Sequence, residues 1–69
     1  MDSMIIRDPN VLGGVPVFRH TRVPFQALLD YLEAGQTLDE FLSDFPTVTR
    51  EAAIAGLEQA QSVLAANLQ

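Results

Sequence analysis

The segment Asp8–Pro24 constrains the fold of this 69-residue chain more than any other part of it. It contains the adjacent glycines Gly13 and Gly14 and three of the four prolines, Pro9, Pro16 and Pro24. Glycine and proline break helices, so their repeated occurrence excludes a helix over this segment. Apolar residues between the turn formers make the segment too hydrophobic for a disordered tail. We therefore expect an ordered, turn-rich β element.

Short extended pieces are predicted on both sides of the glycine pair. The apolar run Met4–Ile6 precedes turn-forming residues and is typical of a short strand. Val15–Arg19 is a second strand candidate, which Pro16 confines to a strand start or a sheet edge. Arg22 and Val23 extend the chain once more before Pro24. We assign residues 1–23 to this β element, within a single domain covering residues 1–69.

Residues 24–69 are predicted to form three helices. In the first, Pro24 occupies the first turn and Gly35 the position just beyond the end, as each residue type favours. Thr37 and Glu40 have the spacing of a capping box, which predicts the start of a short second helix that Pro46 ends. The first two helices each carry apolar residues at i, i+3, i+4 and i+7. These stripes are Phe25, Leu28, Leu29 and Leu32 in the first helix and Leu38, Phe41, Leu42 and Phe45 in the second.

The third helix is predicted from a Thr49 cap through residues 50–68, a length of about 28 Å. Its large apolar residues, Ile54, Leu57, Leu64 and Leu68, are expected to form the buried seam, while alanines make much of the remaining surface small. A chain this short buries only about 60% of its unfolded surface, yet 48% of its residues are hydrophobic. We therefore expect a homodimer, a different partner chain, or both, with Val63–Leu68 against another chain. The β element and the third helix are alternative dimer contacts.

The net charge of −5 is unevenly distributed. Residues 1–25 hold Arg7, Arg19 and Arg22 against Asp2 and Asp8. The rest of the chain holds Arg50 alone against seven carboxylates, and there is no lysine. Such an acidic body disfavours nonspecific nucleic-acid binding and favours a basic protein partner, although a solvated acidic face that aids solubility is the simpler interpretation.

The chain shows little sign of catalytic chemistry. His20 is the only histidine, there is no cysteine or metal-ligand cluster, and the glycine pair lacks the lysine of a phosphate-binding loop. We therefore predict no enzyme activity, no cofactor and no bound metal. Neither a signal peptide nor a membrane-spanning run is evident, and with the absence of cysteine this predicts a cytoplasmic protein.

The second and third helices, joined by Pro46–Thr49, have the pattern of a helix-turn-helix. A DNA-reading helix contacts bases through its first turns, which here include Thr49 and Arg50. Arg50 suits guanine or phosphate, whereas the adjacent Glu51 repels phosphate. The pattern therefore favours helix-turn-helix architecture more strongly than DNA reading.

Arg19, His20, Thr21 and Arg22 form the other candidate constellation. In an extended segment Arg19 and Thr21 face one side, and His20 and Arg22 the other. The two arginines are open to three roles: ion pairs with the chain's own acids, contacts to DNA phosphate, and insertion into an acidic pocket of a partner.

The same segment resembles the signature of a family of small bacterial and archaeal proteins classed as a domain of unknown function. The signature contains the glycine pair, a following proline and an arginine-x-threonine-arginine sequence, here Arg19–Arg22, and the resemblance covers nearly the whole chain. It assigns structural roles to eight positions: Asp8, Pro9, Gly13, Gly14, Pro16, Thr21, Pro24 and Gly35. Val15 replaces the family's usual lysine. His20 replaces a glycine that is able to adopt positive φ, which puts the shape of the local turn in question.

This resemblance implies a mainly α fold, with an N-terminal β element before a homeodomain-like, helix-turn-helix bundle of three helices. It also implies an antitoxin that inhibits a PIN-like ribonuclease toxin, in a complex that represses its own operon. The alternative is a stand-alone dimeric DNA-binding regulator. The candidate partner- or DNA-binding residues are Arg19, Arg22, Thr49 and Arg50.

Overall fold

A computed structural model describes residues 3–68 and places a β-hairpin before three helices. The strands are β1 (Ile5–Ile6) and β2 (Val17–Phe18). The helices are α1 (Phe25–Glu33), α2 (Leu38–Asp44) and α3 (Arg50–Asn67). The predicted mainly helical fold with an N-terminal β element is confirmed, while Met1, Asp2 and Gln69 of the predicted domain lie outside the described residues.

The hairpin is antiparallel, with Ile5 opposite Phe18 and Ile6 opposite Val17. β2 is shorter than the predicted Val15–Arg19 strand. Between the strands, a single 3₁₀ turn runs from Leu12 to Gly14, so the exclusion of helix holds for α-helix only. Gly13 and Gly14 have φ of 65° and 90°, a left-handed region that glycine enters at little cost.

The predicted helix boundaries agree with the structure to within a residue or two. Thr37 and Glu40 form the capping box, and the Thr49 side chain accepts a hydrogen bond from the Ala52 amide at the start of α3. Gly35, with φ of 82°, follows the end of α1. One detail differs, because Pro24 is the extended N-cap of α1 and not part of its first turn. None of the described helices has the length and hydrophobicity needed to cross a membrane.

The core lies where the hairpin meets the three helices. Its buried cluster consists of Phe18, Leu28, Phe41, Val48 and Ala53. Rings of all four phenylalanines and the single tyrosine are connected by contacts with centroid distances of 4.8–6.2 Å. Phe41 contacts three of these rings and lies at the centre of the cluster.

The predicted buried seam of α3 is wrong for Ile54. Leu57 is half-buried against the core, and Leu64 and Leu68 belong to the Val63–Leu68 end that is expected to meet another chain. Ile54, Leu64 and Leu68 are 44%, 60% and 66% exposed, and α3 instead buries Ala53 and Gly56. The hairpin approaches α3 too closely for a larger side chain, since a Cβ on Gly56 would lie 2.9 Å from Ile5 Cδ1 and 3.1 Å from Phe18 Cε1. The small residues therefore form the packing face, and the large residues of the far half are left outside.

Candidate interaction surface

The helical body presents its carboxylates to solvent. All seven acidic residues after residue 25 are exposed, and they are distributed over the three helices and their ends. They are Asp30, Glu33, Asp39, Glu40, Asp44, Glu51 and Glu58. This group is termed the acidic surface below, and it is the largest concentration of one charge in the chain.

Several of these carboxylates also stabilise the helices that carry them. Glu40 accepts the Thr37 amide hydrogen bond at 3.0 Å and completes the capping box of α2. Asp44 accepts a hydrogen bond of 2.6 Å from the Tyr31 hydroxyl, which links α2 to α1. Asp39 pairs with Arg50 and links α2 to α3.

Tyr31 responds electrostatically to this surface. Its hydrogen bond to Asp44 raises the pKa of the phenol above its ordinary value of 10.0, with further contributions from desolvation and from the charges of Asp44 and Glu40. Ionised Tyr31 would lose its role as donor and would lie beside carboxylates. The surface therefore favours the neutral phenol.

The two candidate residues at the start of α3 both have structural partners. The hydroxyl of Thr49 accepts the Ala52 amide hydrogen bond at 3.0 Å. Arg50 binds Asp39 through Nη2, with 53% of the arginine side chain and 75% of the aspartate side chain exposed. Exposed pairs of this kind contribute about 0–1 kcal/mol, so the contact orients Arg50 more than it stabilises the fold.

The other two candidate arginines follow β2 in a turn, whereas the alternation of faces was predicted for an extended segment. Arg19 and Thr21 are half-buried, whereas His20 and Arg22 are exposed. Within the described residues 3–68, Arg22 makes no ion pair. Arg22 is therefore available to a partner at the hairpin surface, separately from the Asp39–Arg50 pair.

Thr21 fixes the turn that carries Arg22. Its hydroxyl donates to the Phe18 carbonyl at 2.7 Å and accepts from the Val23 amide at 3.0 Å. His20 has a φ of 65°. This residue therefore adopts the left-handed conformation that the glycine usual in the resembling family could adopt at this position. A non-glycine residue pays about 1–2 kcal/mol for this conformation, so the Thr21 hydrogen bonds hold His20 in a strained turn.

The remaining signature residues shape the two ends of the hairpin. The Asp8 carboxylate accepts the Asn10 amide hydrogen bond at 2.9 Å, and the Asp8 carbonyl accepts that of Val11 at 2.8 Å, so Pro9 lies inside a tight turn. At the other end the Pro16 carbonyl accepts the Phe25 amide hydrogen bond at 3.0 Å, and Pro24 forms a bridge with Val17. The structural roles expected for Asp8, Pro9, Pro16 and Pro24 stay predictions, and these contacts show where such roles would act.

Sequence reasoning missed Gln59. Its side-chain amide accepts from the Ile5 amide at 2.9 Å and donates to the Ile5 carbonyl at 3.0 Å. Ile5 is at a non-hydrogen-bonded position of the hairpin, so both of its backbone groups point away from β2. Gln59 pairs with them as a third strand would. A glutamine within an alanine-rich helix gave no signal of this contact, which joins residues 54 positions apart.

The described residues contain no group of three or more histidine, aspartate or glutamate side chains arranged to hold a metal ion. The charged side chains that these residues expose include carboxylates on the helices and the guanidinium groups of Arg7 and Arg22 at the hairpin.

Comparison with known proteins agrees with this fold. A crystal structure of a DUF433 member protein from Anabaena variabilis superposes with a TM-score of 0.75 at 30% identity, covering 88% of this chain and 60% of that one. The uncharacterized protein y4eO of Sinorhizobium fredii is 33% identical over 49 residues, which are 71% of this chain. The match covers only 22% of the Sinorhizobium protein, so this chain corresponds to a small part of that relative.

The family model that matches the chain is described as a protein of unknown function, DUF433, and it covers residues 5–60. The matched region begins at β1 and ends just after Gln59. It therefore includes the hairpin, the acidic surface and the Gln59 contact, and the chain belongs to the DUF433 family.

Proposed function

We propose that this chain is an antitoxin that binds and inhibits a PIN-like ribonuclease toxin, and that it acts by binding rather than by catalysis. The observation that carries the proposal is the acidic surface, on which seven exposed carboxylates face a single arginine, Arg50, itself paired with Asp39. The resemblance of the Asp8–Pro24 signature to antitoxin-like proteins supplies the class of partner.

A ribonuclease has to attract phosphate, so its substrate-binding surface is rich in lysine and arginine. An acidic surface competes with RNA for those cations, and it accelerates encounter with them by electrostatic steering. The exposed carboxylates of this chain suit that role whichever of the three helices makes the central contact.

Arg22 provides a second proposed contact between this chain and the nuclease. PIN-like nucleases are metal-dependent and hold their metal with carboxylates, and a guanidinium binds a carboxylate through two parallel hydrogen bonds. Because Arg22 is exposed on a hydrogen-bonded turn, its guanidinium is able to enter such a pocket. Arg19, which is half-buried beside it, is the less accessible of the two.

Co-expression tests the proposal directly. The product of the adjacent gene is expressed alone and together with this chain, and growth and RNA integrity are measured. We expect toxicity from the neighbour alone and rescue by this chain. A neighbour that is harmless, or that stays toxic in the presence of this chain, contradicts the proposal.

Charge variants locate the contact. Glu33→Lys and Glu58→Lys reverse charge on α1 and α3 at carboxylates with no hydrogen-bond partner among the described residues. Each is expected to weaken binding to the nuclease about 10-fold at low salt, with the loss reduced at high salt. Arg22→Ala should weaken binding, whereas Arg7→Ala, at an exposed arginine after β1, serves as its matched control.

A stand-alone dimeric DNA-binding regulator is the second candidate. It is favoured by the short α2, the tight connection and the longer α3, which have helix-turn-helix order. The Asp39–Arg50 pair and the exposed Glu51 weigh against it, because a DNA phosphate would have to displace Asp39 and approach Glu51. Promoter binding by the purified chain, with a steep salt dependence that Arg50→Ala reduces, would favour the regulator. Binding only in the presence of the nuclease would instead indicate autoregulation by the complex.

A further inference from the structure

An apolar groove lies between the hairpin and the far half of α3. It has a volume of about 370 Å³, and its walls include Ile5, Phe25, Ala60, Val63 and Leu64. The Gln59 side chain, which holds the edge of β1, also lines it. None of the described residues that line the groove is charged.

The helix beside this groove is not covered by the rest of the fold. Every residue from 60 to 68 is exposed, and Val63, Leu64 and Leu68 are 57%, 60% and 66% exposed. About two helical turns therefore extend past the core without tertiary packing. Helices owe most of their stability to packing of an apolar face, so this segment lacks its main source of stability in the single chain.

The distribution of charged residues along α3 favours a second copy of this chain as the partner that covers this surface. Arg50, Glu51 and Glu58 lie in the first half of α3, whereas residues 59–68 carry no charged side chain. Two copies of a chain with net charge −5 repel each other where their acidic surfaces meet. The groove and the far half of α3 form a continuous apolar surface where two copies can meet without opposing carboxylates.

The same surface also contains both halves of a self-complementary contact. Ala60, Val63, Leu64 and Asn67 follow the i, i+3, i+4, i+7 spacing, so they form one stripe along the groove. Ala60 has a side chain of a single carbon, and Leu64, one turn later on the same stripe, is 60% exposed. A twofold dimer needs a depression and a projection on the same patch, because each copy presents identical residues to the other.

We infer that this chain forms a twofold homodimer in which the far halves of two α3 helices pack antiparallel, with Leu64 of each copy in the apolar groove of the other. This interface is distinct from the proposed nuclease contact and does not depend on it. It leaves both acidic surfaces facing outward, so one dimer presents two of them to partner proteins.

Sedimentation equilibrium of the purified chain tests the inference. We expect a dimer at micromolar concentration. Leu64→Glu should weaken the dimer by about 100-fold or more, because each dimer contains the changed residue twice at the centre of an apolar contact. Leu32→Glu makes the same change at a leucine of α1 that is 41% exposed, and it should leave the dimer intact. Circular dichroism checks that both variants keep their helices.

Cross-linking tests the geometry, since the natural chain has no cysteine. Ala60→Cys places a thiol near the proposed twofold axis and should yield a disulfide-linked dimer on mild oxidation. Ala34→Cys, at an exposed position that ends α1, should not. A wild-type chain that stays monomeric at high micromolar concentration, or a Leu64→Glu variant that dimerises as wild type does, overturns the inference. So does a monomeric chain whose Leu64→Glu variant loses the nuclease, because the groove then belongs to that partner. Loss of dimerisation with rescue from toxicity retained supports the inference and keeps it separate from the proposed function.

Discussion

The hairpin and the helical body of this protein are stabilised in different ways. In the body, aromatic rings pack around Phe41, and side-chain caps at Thr37 and Thr49 mark the starts of α2 and α3. In the hairpin, Val17 and Phe18 are buried in the core, but each strand has only two residues. Its turns and the edge of β1 are held by side chains that bind backbone groups: Asp8, Thr21 and, from α3, Gln59. A two-stranded hairpin of this size is not stable alone in water, so it depends on its contact with the body.

This difference corresponds to a division of charge, with the exposed carboxylates on the helical body and the exposed Arg22 on the hairpin. The body has enough packing to place its carboxylates in solvent, where they are available to a partner. The hairpin uses its polar groups to keep a strained turn in place, and that turn presents Arg22. Four substitutions test this comparison, from the largest expected effect to the smallest.

Phe41→Ala removes the centre of the aromatic cluster. Loss of a fully buried phenylalanine costs about 4 kcal/mol, which is comparable with the whole stability of a domain this small. We expect a largely unfolded chain by circular dichroism, with the hairpin lost together with the body. Phe41→Leu is the milder companion and should remain folded with a lower Tm. A native-like spectrum for Phe41→Ala would contradict the central role of this ring.

Gly56→Val acts on the junction between the two regions. The added side chain would enter the space occupied by Ile5 and Phe18 and should lower the free energy of unfolding by about 3 kcal/mol. Urea denaturation measures the change. Ala66→Val, at an exposed position of the same helix, is the matched control and should change stability by well under about 1 kcal/mol. Equal effects of the two substitutions would rule out a close approach at Gly56.

Gln59→Leu removes the two side-chain hydrogen bonds that join α3 to β1. It leaves the backbone amide and carbonyl of Ile5 without their partner, at an expected cost of about 1–2 kcal/mol. Amide hydrogen exchange should accelerate at Ile5 more than at the amides of α2. Gln61→Leu, an exposed neighbour on α3, controls for the change of residue type. Uniform acceleration across the chain would mean that the hairpin does not open independently.

Tyr31→Phe has the smallest expected effect and concerns the acidic surface of the body. The hydrogen bond to Asp44 raises the pKa of Tyr31 above 10.0 in the folded state. The folded state therefore retains the phenol proton at a pH where the unfolded chain releases it. The resulting stability is fully present below pH 10.0 and is lost as the pH rises through the folded-state pKa. Denaturation curves above pH 10.0 should fall more steeply for wild type than for Tyr31→Phe. Parallel curves would show that the hydrogen bond does not couple to stability.

The sequence predicted the helices well because their signals are local. Thr37 with Glu40, Thr49 and Gly35 act within a few residues of their own positions. The apolar stripes contain the buried residues Leu28 of α1 and Phe41 of α2, although Leu32 at the end of the α1 stripe is 41% exposed. The acidic surface was visible as an excess of carboxylates, since charged side chains stay exposed wherever the chain folds.

The failures concern contacts between distant residues. The seam predicted for α3 places Ile54 in the core, but the hairpin approaches this helix closely and the helix buries the small residues Ala53 and Gly56 instead. Gln59 was overlooked because its partner, Ile5, lies at the other end of the chain. Arg50 suited DNA as a residue type, and only the fold shows that Asp39 of α2 reaches it.

The sequence by itself therefore determined the order of the elements, the ends of the helices and the acidity of the body, since each depends on neighbouring residues or on composition. The tertiary structure decided which face of α3 is buried, how the edge of β1 is paired and which apolar residues remain outside. Those outcomes depend on how closely the hairpin can approach the helix. That distance is set by the side-chain volumes of residues about 50 positions apart, and no local pattern records it.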